Sequence, residues 1–548
     1  MNLTISISKM SVSKEDLDVN EVFDHILFGE EIAEKAGFEE GYKVGRTQLL
    51  EPYHLGYHRA SQVAAELGYY SGVLEYNLKT NSFPEKAASL AKKLRMDIDN
   101  FPRHNSQEID ILKLLEDIKL KYSRICSLHF EKVLSFLQTY QSLVNSHLTD
   151  FITEDLWTTC LPDKLRKELE TLGSDFVCKN YWNDVDHSTP ELNKFLKAID
   201  SLALEKCNLV YDARDVPKLF STWGLELQES DLTNCTGKLE FMNDKKSYEV
   251  EIMAKVTSAL AKFHSSIIVD AGAGKGYLSE QICQNYGVPV LAIDSSHITH
   301  KGAIRRQNII KKKFGPPSKL VHYLVHSIDD STDFSNLVKL YSPGWNSKQS
   351  LTITGLHTCG SLGQSVIKAF LQSDCIKSLC VVTCCYHLAE TSLSGKLKLT
   401  KNAKMLAQQS IERVRKNNHH LSPTLFYRAV IQVLLNSLGI SNVKTGRSAV
   451  AEDFVTYAQW VLRKIVLNSN QIPSQDMIKE VYQAHENLKW KMEIFQMLRV
   501  CLGSVVESAI LLDRITYLKA SKACSNFALV RLFDPVKSPR CYAIIALK

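Results

Sequence analysis

The segment Asp270-Ala271-Gly272-Ala273-Gly274-Lys275-Gly276 holds the residue types and spacing of a nucleotide-binding turn. Glycine lets a backbone approach a ligand closely and adopt positive φ without steric penalty. The apolar run Ser266-Ile267-Ile268-Val269 leads into it and Tyr277-Leu278-Ser279-Glu280-Gln281-Ile282 follows, which reads as strand, tight turn and helix. A second apolar run, Val288 to Ile293, ends at Asp294, where a carboxylate can accept hydrogen bonds from ribose hydroxyls. Asp270, Gly272, Gly274, Gly276 and Asp294 are therefore candidate cofactor contacts, joined by Ser327 and Gly355 at the ends of later strands. A P-loop is excluded, because Gly276 follows Lys275 where a Ser or Thr would bind magnesium, and residue 269 is not glycine. A dinucleotide-binding turn remains an alternative, since Gly272-x-Gly274-x-Gly276 is a near match to its glycine pattern.

Ligands of parallel-sheet enzymes sit beyond the carboxyl ends of the strands. Two such ends carry Gly355-Leu356-His357-Thr358-Cys359-Gly360 and Thr383-Cys384-Cys385-Tyr386-His387, so both should face the cofactor. His357 and His387 are candidate general bases for a hydroxyl, and Tyr386 or Phe426 could stack on a flat substrate; the catalytic candidates are His357, Tyr386 and His387. A metal reading would use His357, Cys359, Cys384, Cys385 and His387, but adjacent cysteines point in different directions and no C-x-x-C spacing is present. No metal is expected. Arg305, Arg306, Lys311, Lys312 and Lys313 form a basic stretch after the second strand, which reads either as a phosphate-binding face or as a solvated helix.

The acid directly before the glycine turn resembles the first motif of class I methyltransferases, which implies S-adenosylmethionine as cofactor with Asp270 near its methionine end. With Lys245-Lys246-Ser247-Tyr248-Glu249, Gly302-Ala303-Ile304-Arg305-Arg306 and Leu511-Leu512-Asp513-Arg514, the two strand-end clusters resemble the methyltransferase-like protein 25 family over about residues 130–548. The pattern departs from that family at Ser361, where an acid is usual, and at Thr383, where glycine is usual. The His-x-Cys-Gly and Cys-Cys-x-His pieces are also similar to tRNA ribose 2'-O-methyltransferases, which implies RNA as the methyl acceptor.

The elements that must carry these residues can be followed along the chain. Further strands are expected at 320–325, 351–355 and 379–383, and a terminal hairpin at 527–532 and 541–547. Such a hairpin inserts one antiparallel strand into an otherwise parallel sheet. A helical insertion of about 388–525 should shape the substrate side, through Phe426 to Leu435, Phe454 to Val466 and Ile494 to Leu518. The expected fold is α/β, a class I methyltransferase (Rossmann-like) sheet with a large helical insertion, preceded by an all-α helical hairpin domain. Its expected divisions are 1–128, a helical lead-in over 129–255, and the methyltransferase domain over 256–548.

In the first of these, small residues recur in steps of four: Gly37, Gly41 and Gly45, then Gly56, Ala60, Ala64, Gly68 and Gly72. Four residues is close to one helical turn, so each set lines one face. Glycine inside a helix is unfavourable by roughly 0.5–1 kcal/mol relative to alanine, so a close helix crossing is expected to compensate, with Pro52 turning the chain between two arms. Over about residues 18–128, including the helix around Leu115 to Leu128, this part resembles the deca-GX3 adaptors, the Lto and Yae proteins. That resemblance implies a Yae-type glycine-repeat partner and a role with the iron-sulfur assembly machinery, in delivery to a ribosome-associated ATPase.

Composition sets outer bounds. With 45% hydrophobic and 23% charged residues, the chain is globular in character, and a net charge of +6 is far from that of a nucleic-acid coat protein. No uninterrupted apolar span or secretory leader is read, and the 14 cysteines lack a disulfide-scaffold pattern, so a reducing, cytoplasmic setting without membrane contact is expected. The function expected is S-adenosylmethionine-dependent methyl transfer to RNA beside an adaptor-like module. The alternative is a non-catalytic adaptor for iron-sulfur cluster delivery.

Overall fold

The computed structural model describes residues 19–79, 85–103, 109–180, 189–207, 210–228, 241–315, 321–341, 349–409, 411–416, 422–440, 451–465, 473–521 and 526–548, with a few isolated residues between. Residues 18, 320, 466 and 525, named above as limits, lie outside them. The chain divides into two compact units, Met1–Tyr70 and Ser71–Lys548.

Among the described residues eight strands form one sheet: β1 Val210–Asp212, β2 Ile267–Ala271, β3 Val290–Asp294, β4 Val321–Val325, β5 Leu351–Cys359, β6 Ile376–Cys384, β7 Asn526–Arg531 and β8 Tyr542–Leu547. Their spatial order is β1-β7-β8-β6-β5-β2-β3-β4. Only β8 runs antiparallel, between β6 and β7, so the terminal hairpin closes the sheet as expected. This is the class I methyltransferase arrangement. The expected lead-in hides one further strand, β1, which pairs parallel with β7 at the edge. It is three residues long, too short for a period-two pattern to register.

Side-chain alternation assigns the two faces. Ile267, Val269 and Ala271 of β2, with Ile353 of β5 and Val381 of β6, belong to one buried cluster shared with the helices Leu362–Gln372 and Lys489–Ala520. Ile268, Ala292, Val382 and Ile545 belong to a second, with Asp244–Phe263 and Tyr277–Tyr286. Sandwiched between helices, the central strands read as continuous apolar runs rather than alternating ones. Every regular element of the expected insertion among its described residues is a helix, from Lys401–Leu406 to Lys489–Ala520, although residues 389–400 form an irregular lead-in. By composition Gln475–Ala520 is long and apolar enough to cross a bilayer, a feature the residue pattern above did not register; 78% of its most apolar window is buried inside the protein, as for a core helix.

The N-terminal part is helical, but its expected turn is absent. Val19–Lys79 is one helix of 61 residues that continues through Pro52. A proline removes one ladder hydrogen bond at about 3 kcal/mol, a local penalty that the remaining turns of so long a helix outlast. Among the described residues the expected glycine crossing is not made either: a Cβ built at Gly37, Gly41, Gly45, Gly56, Gly68 or Gly72 meets nothing within 4 Å. Residue 128, the expected boundary, lies inside the helix Ile111–Thr139.

Candidate active site

The strand order reverses at β2, whose neighbours are β5 on one side and β3 on the other, and this switch point opens a crevice at the carboxyl ends. The glycine turn occupies it. Gly272, Gly274 and Gly276 have φ of 75°, 58° and 68°, a left-handed path that residues with a Cβ rarely follow. The turn is anchored to β3 twice, as Gly272 and Ala273 donate to the Ile293 carbonyl at 2.8 and 3.0 Å. Each glycine faces something different. A Cβ at Gly276 would lie 2.4 Å from the Tyr323 ring, and one at Gly272 2.9 Å from Leu362, whereas at Gly274 it meets nothing within 4 Å. Gly355 answers a packing need, since its Cβ would come 2.8 Å from the Ala271 carbonyl oxygen.

The two acids behave unlike each other. Asp270 is 1% exposed and accepts from the Ser279 hydroxyl at 2.5 Å, tying the strand to the helix beyond the turn. Burial pushes its carboxyl up to about 6, against the Ser279 hydrogen bonds and with help from the Asp294 charge. Asp294 is half-buried at the end of β3. Its Oδ2 accepts from the Gly274 amide at 2.9 Å, and its Oδ1 from the Ser296 amide at 2.9 Å and the Thr299 hydroxyl at 2.7 Å. Ser327 is exposed two residues beyond β4. Beside it, His326 donates its amide to the Asp294 carbonyl while its Nε2 is buried without a hydrogen-bond partner among the described residues.

His357 sits on β5 with φ of 66°, where the pairing with β6 shifts register between Leu356 and Thr358. Its Nε2 lies 3.1 Å from Glu249 Oε2. A carboxylate only accepts, so Nε2 carries the proton of this bond, and in the neutral form of the ring Nδ1 is the nitrogen with the lone pair. Glu249 is 3% exposed on the helix Asp244–Phe263 and also takes the Ser538 hydroxyl. Burial pushes Glu249 up, but the bond and charge of His357, with Ser538 and Lys245, outweigh it and hold the carboxyl below its ordinary value. Glu249 was quoted above within a motif and given no role; a lone acid on a helix carries no sign of a histidine 108 residues away.

At the end of β6 the expected stacking residues are inside the protein. Tyr386 is 2% exposed and donates to Glu507 at 2.9 Å, with the Arg514 guanidinium 5.1 Å from its ring centre. Arg514, 2% exposed, donates to the Thr383 hydroxyl, so the departure from glycine at that position supplies a buried acceptor. The other departure, Ser361, is exposed at the start of Leu362–Gln372 without capping it. Phe426 is fully buried, edge-on to Tyr482. The His387 Nδ1 is occupied by the Gln408 side chain. Arg306, read above as part of a basic face, is buried and donates to the Gly276 carbonyl at 2.7 Å; Arg305, Lys312 and Lys313 are exposed. A recess lined by Gln364, Tyr386, Thr391, Lys404 and Arg514, and by none of the turn glycines, adjoins the Tyr386 side.

The adjacent cysteines converge, contrary to the expectation that they diverge. Cys385 has φ of 47°, which breaks strand alternation after Cys384. The sulfurs of Cys359, Cys384 and Cys385 all lie within 4.8 Å of one another.

Comparison with known proteins agrees with this geometry. A family described as a methyltransferase domain matches residues 245–392, a span that takes in Glu249, the glycine turn, Asp294, His357 and His387. Probable methyltransferase-like protein 25 of Homo sapiens is 25% identical, across 76% of this chain and 96% of that protein. Its counterpart in Mus musculus is 25% identical across 76% of this chain and 95% of that protein. The chain thus carries a methyltransferase domain on a class I sheet and is similar, through most of its length, to methyltransferase-like protein 25.

Proposed function

We propose that this chain transfers a methyl group from S-adenosylmethionine to RNA. The observation that carries the cofactor reading is the turn itself: three left-handed glycines after β2, one of them with open space at its Cβ, facing a half-buried carboxylate at the end of β3. These residues fit the cofactor. Asp294 has lone-pair capacity beyond its three present donors for ribose hydroxyls, and the buried, unpartnered His326 Nε2 offers a polar contact beside it. Gly272, Gly274 and Gly276 let the backbone lie against the ligand, and Asp270 holds the turn to its helix. Ser327, exposed just beyond β4, and Gly355, packed against Ala271, are the remaining expected contacts. When bound, the cofactor supplies an electrophilic methyl group.

His357 is the catalytic candidate the geometry favours. Glu249 fixes its tautomer and leaves Nδ1 able to take a proton from an acceptor hydroxyl. Tyr386, buried against Glu507, serves as a support for the strand end. RNA is the acceptor supported by the motif resemblance, and the exposed Arg305, Lys312 and Lys313 supply phosphate-compatible charge. Calorimetric titration of the full chain with S-adenosylmethionine, followed by transfer of labelled methyl to total RNA and total protein, tests both parts. Micromolar binding and labelled RNA are expected; a folded chain that binds no cofactor refutes the reading.

A second reading, of an adaptor in iron-sulfur delivery, draws on the open glycine face of Val19–Lys79, beside which Phe38, Tyr42 and Tyr57 are exposed. Co-expression with a Yae-type glycine-repeat protein tests it. Stable co-purification that Gly41→Leu abolishes is expected, and independent elution of the two chains rejects it.

A further inference from the structure

Three thiols from neighbouring strands meet at the carboxyl end of the sheet. Cys359 closes β5 and Cys384 closes β6, paired in register with sulfurs 3.2 Å apart. In a regular strand Cys385 would point to the opposite face from Cys384. Its left-handed backbone, unfavourable by about 1–2 kcal/mol for a residue with a Cβ, swings its thiol onto the side of the other two. His357, two residues before Cys359, is left-handed as well, so both strands leave regular geometry where the thiols gather. Strain of this kind persists where the surroundings enforce it, and it clusters at ligand clamps.

We infer that Cys359, Cys384 and Cys385 form a binding site for a thiophilic divalent cation of the zinc class. Tetrahedral thiolate ligation with metal–sulfur bonds of about 2.3 Å places sulfurs about 3.8 Å apart, a spacing within the reach of this cluster. Cys384 is buried, Cys385 half-buried and Cys359 exposed. An ion there is held from beneath and open outward, leaving its fourth position to water or to an acceptor atom. Three protein ligands with one open position is the pattern of a reactive rather than a purely structural site. As each metal–sulfur bond forms, the corresponding thiol releases its proton to solvent, and neither metal nor sulfur changes oxidation state. None of the three cysteines belongs to the proposed methyl-donor pocket, so the inference stands or falls apart from that reading.

The test uses the full chain, stripped with a chelator and kept under reductant, titrated with cobalt(II) alone and then with zinc(II) as competitor. A thiolate-to-cobalt charge-transfer band saturating at about one equivalent, and displaced by zinc, is expected. Cys359→Ser and Cys385→Ser change the two least buried ligands and should each weaken binding about 100-fold or more, since loss of an outer-shell partner alone costs 10- to 100-fold. Cys375→Ser, a thiol outside the cluster, should leave the band unchanged. Circular dichroism verifies that each variant folds. The inference is overturned if the reduced, folded chain gives no such band, if the band survives Cys359→Ser, or if Cys359 and Cys384 prove disulfide-linked under reductant.

Discussion

Alanine at Gly276 and at Gly274, introduced one at a time, separates the turn's packing glycine from its ligand-facing one. Both positions are left-handed, at 68° and 58°, so either substitution costs about 1–2 kcal/mol in backbone strain. Only at Gly276 does a clash add to this. The new Cβ would lie 2.4 Å from Tyr323 Cε1 and 2.5 Å from its oxygen, and the ring is held by a 2.8 Å hydrogen bond from its hydroxyl to Glu280. Overpacking of this kind costs about 1–3 kcal/mol, which brings Gly276→Ala to roughly 2–5 kcal/mol against about 1–2 for Gly274→Ala. Thermal unfolding of the full chain should show the first melting a few degrees below the second. Cofactor titration should show the reverse order of specificity: Gly274→Ala folds close to normally yet binds S-adenosylmethionine more weakly, because its methyl group enters the open space beside Asp294. In a Tyr323→Ala background the clash is gone, and Gly276→Ala should then cost only the backbone strain. Equal destabilisation by Gly276→Ala in both backgrounds would refute the assignment of that glycine to ring packing.

Three further outcomes follow from the same geometry. Because burial raises Asp270 to about 6 from an ordinary 3.8, its contribution is full below about 4 and is lost as pH rises through 6, a swing of about 3 kcal/mol; Asp270→Asn, still an acceptor for Ser279, should flatten the pH dependence of melting across that window, and an unchanged slope counts against the shift. His357→Gln, which keeps an N–H donor for the buried Glu249 carboxylate but has no titrating ring nitrogen, should lower kcat about 100-fold or more while melting stays near wild type; a variant that keeps its turnover removes His357 from the chemistry. Arg514→Met should destabilise by roughly 3 kcal/mol, since it strips the buried Thr383 hydroxyl of its donor and Glu507 and Asp513 of a neighbouring cation, and melting within a degree of wild type contradicts a supporting role.

Where a stretch of chain obeys one period, its residues alone located it. The β2 run, the second strand ending at Asp294 and the terminal hairpin all bury both faces of a central strand, and an apolar run bounded by turn residues is what that burial demands. The three-residue β1 carries no such run, and its place beside β7 depends on a partner more than 300 residues away. Pro52 misled for a related reason. Proline is a strong local signal for a break, but the helix around it extends many turns to either side, and local propensity yields to the length of the element. The glycine steps were legible as one face of a helix; that nothing within the described residues covers the face was not.

At the site, residue types were legible and directions were not. His357, Cys359, Cys384 and Cys385 were singled out by their position after strands, yet the expectation that adjacent cysteines diverge assumed regular strand geometry up to Cys385. Two residues with side chains, His357 and Cys385, adopt left-handed backbones instead, and no composition rule marks them as glycine would. Their consequences are opposite in kind. At Cys385 the turn gathers thiols, while at His357 it accompanies a side chain that meets Glu249 from another helix. Tyr386 shows the converse error, since an aromatic after a strand reads as a platform until Glu507 and Arg514, both from Lys489–Ala520, draw it inward. That insertion helix therefore supports the strand ends from behind as well as shaping the substrate side. Chemistry here sits where the periodic pattern stops, so the residues that matter most for it are those whose orientation the pattern constrains least.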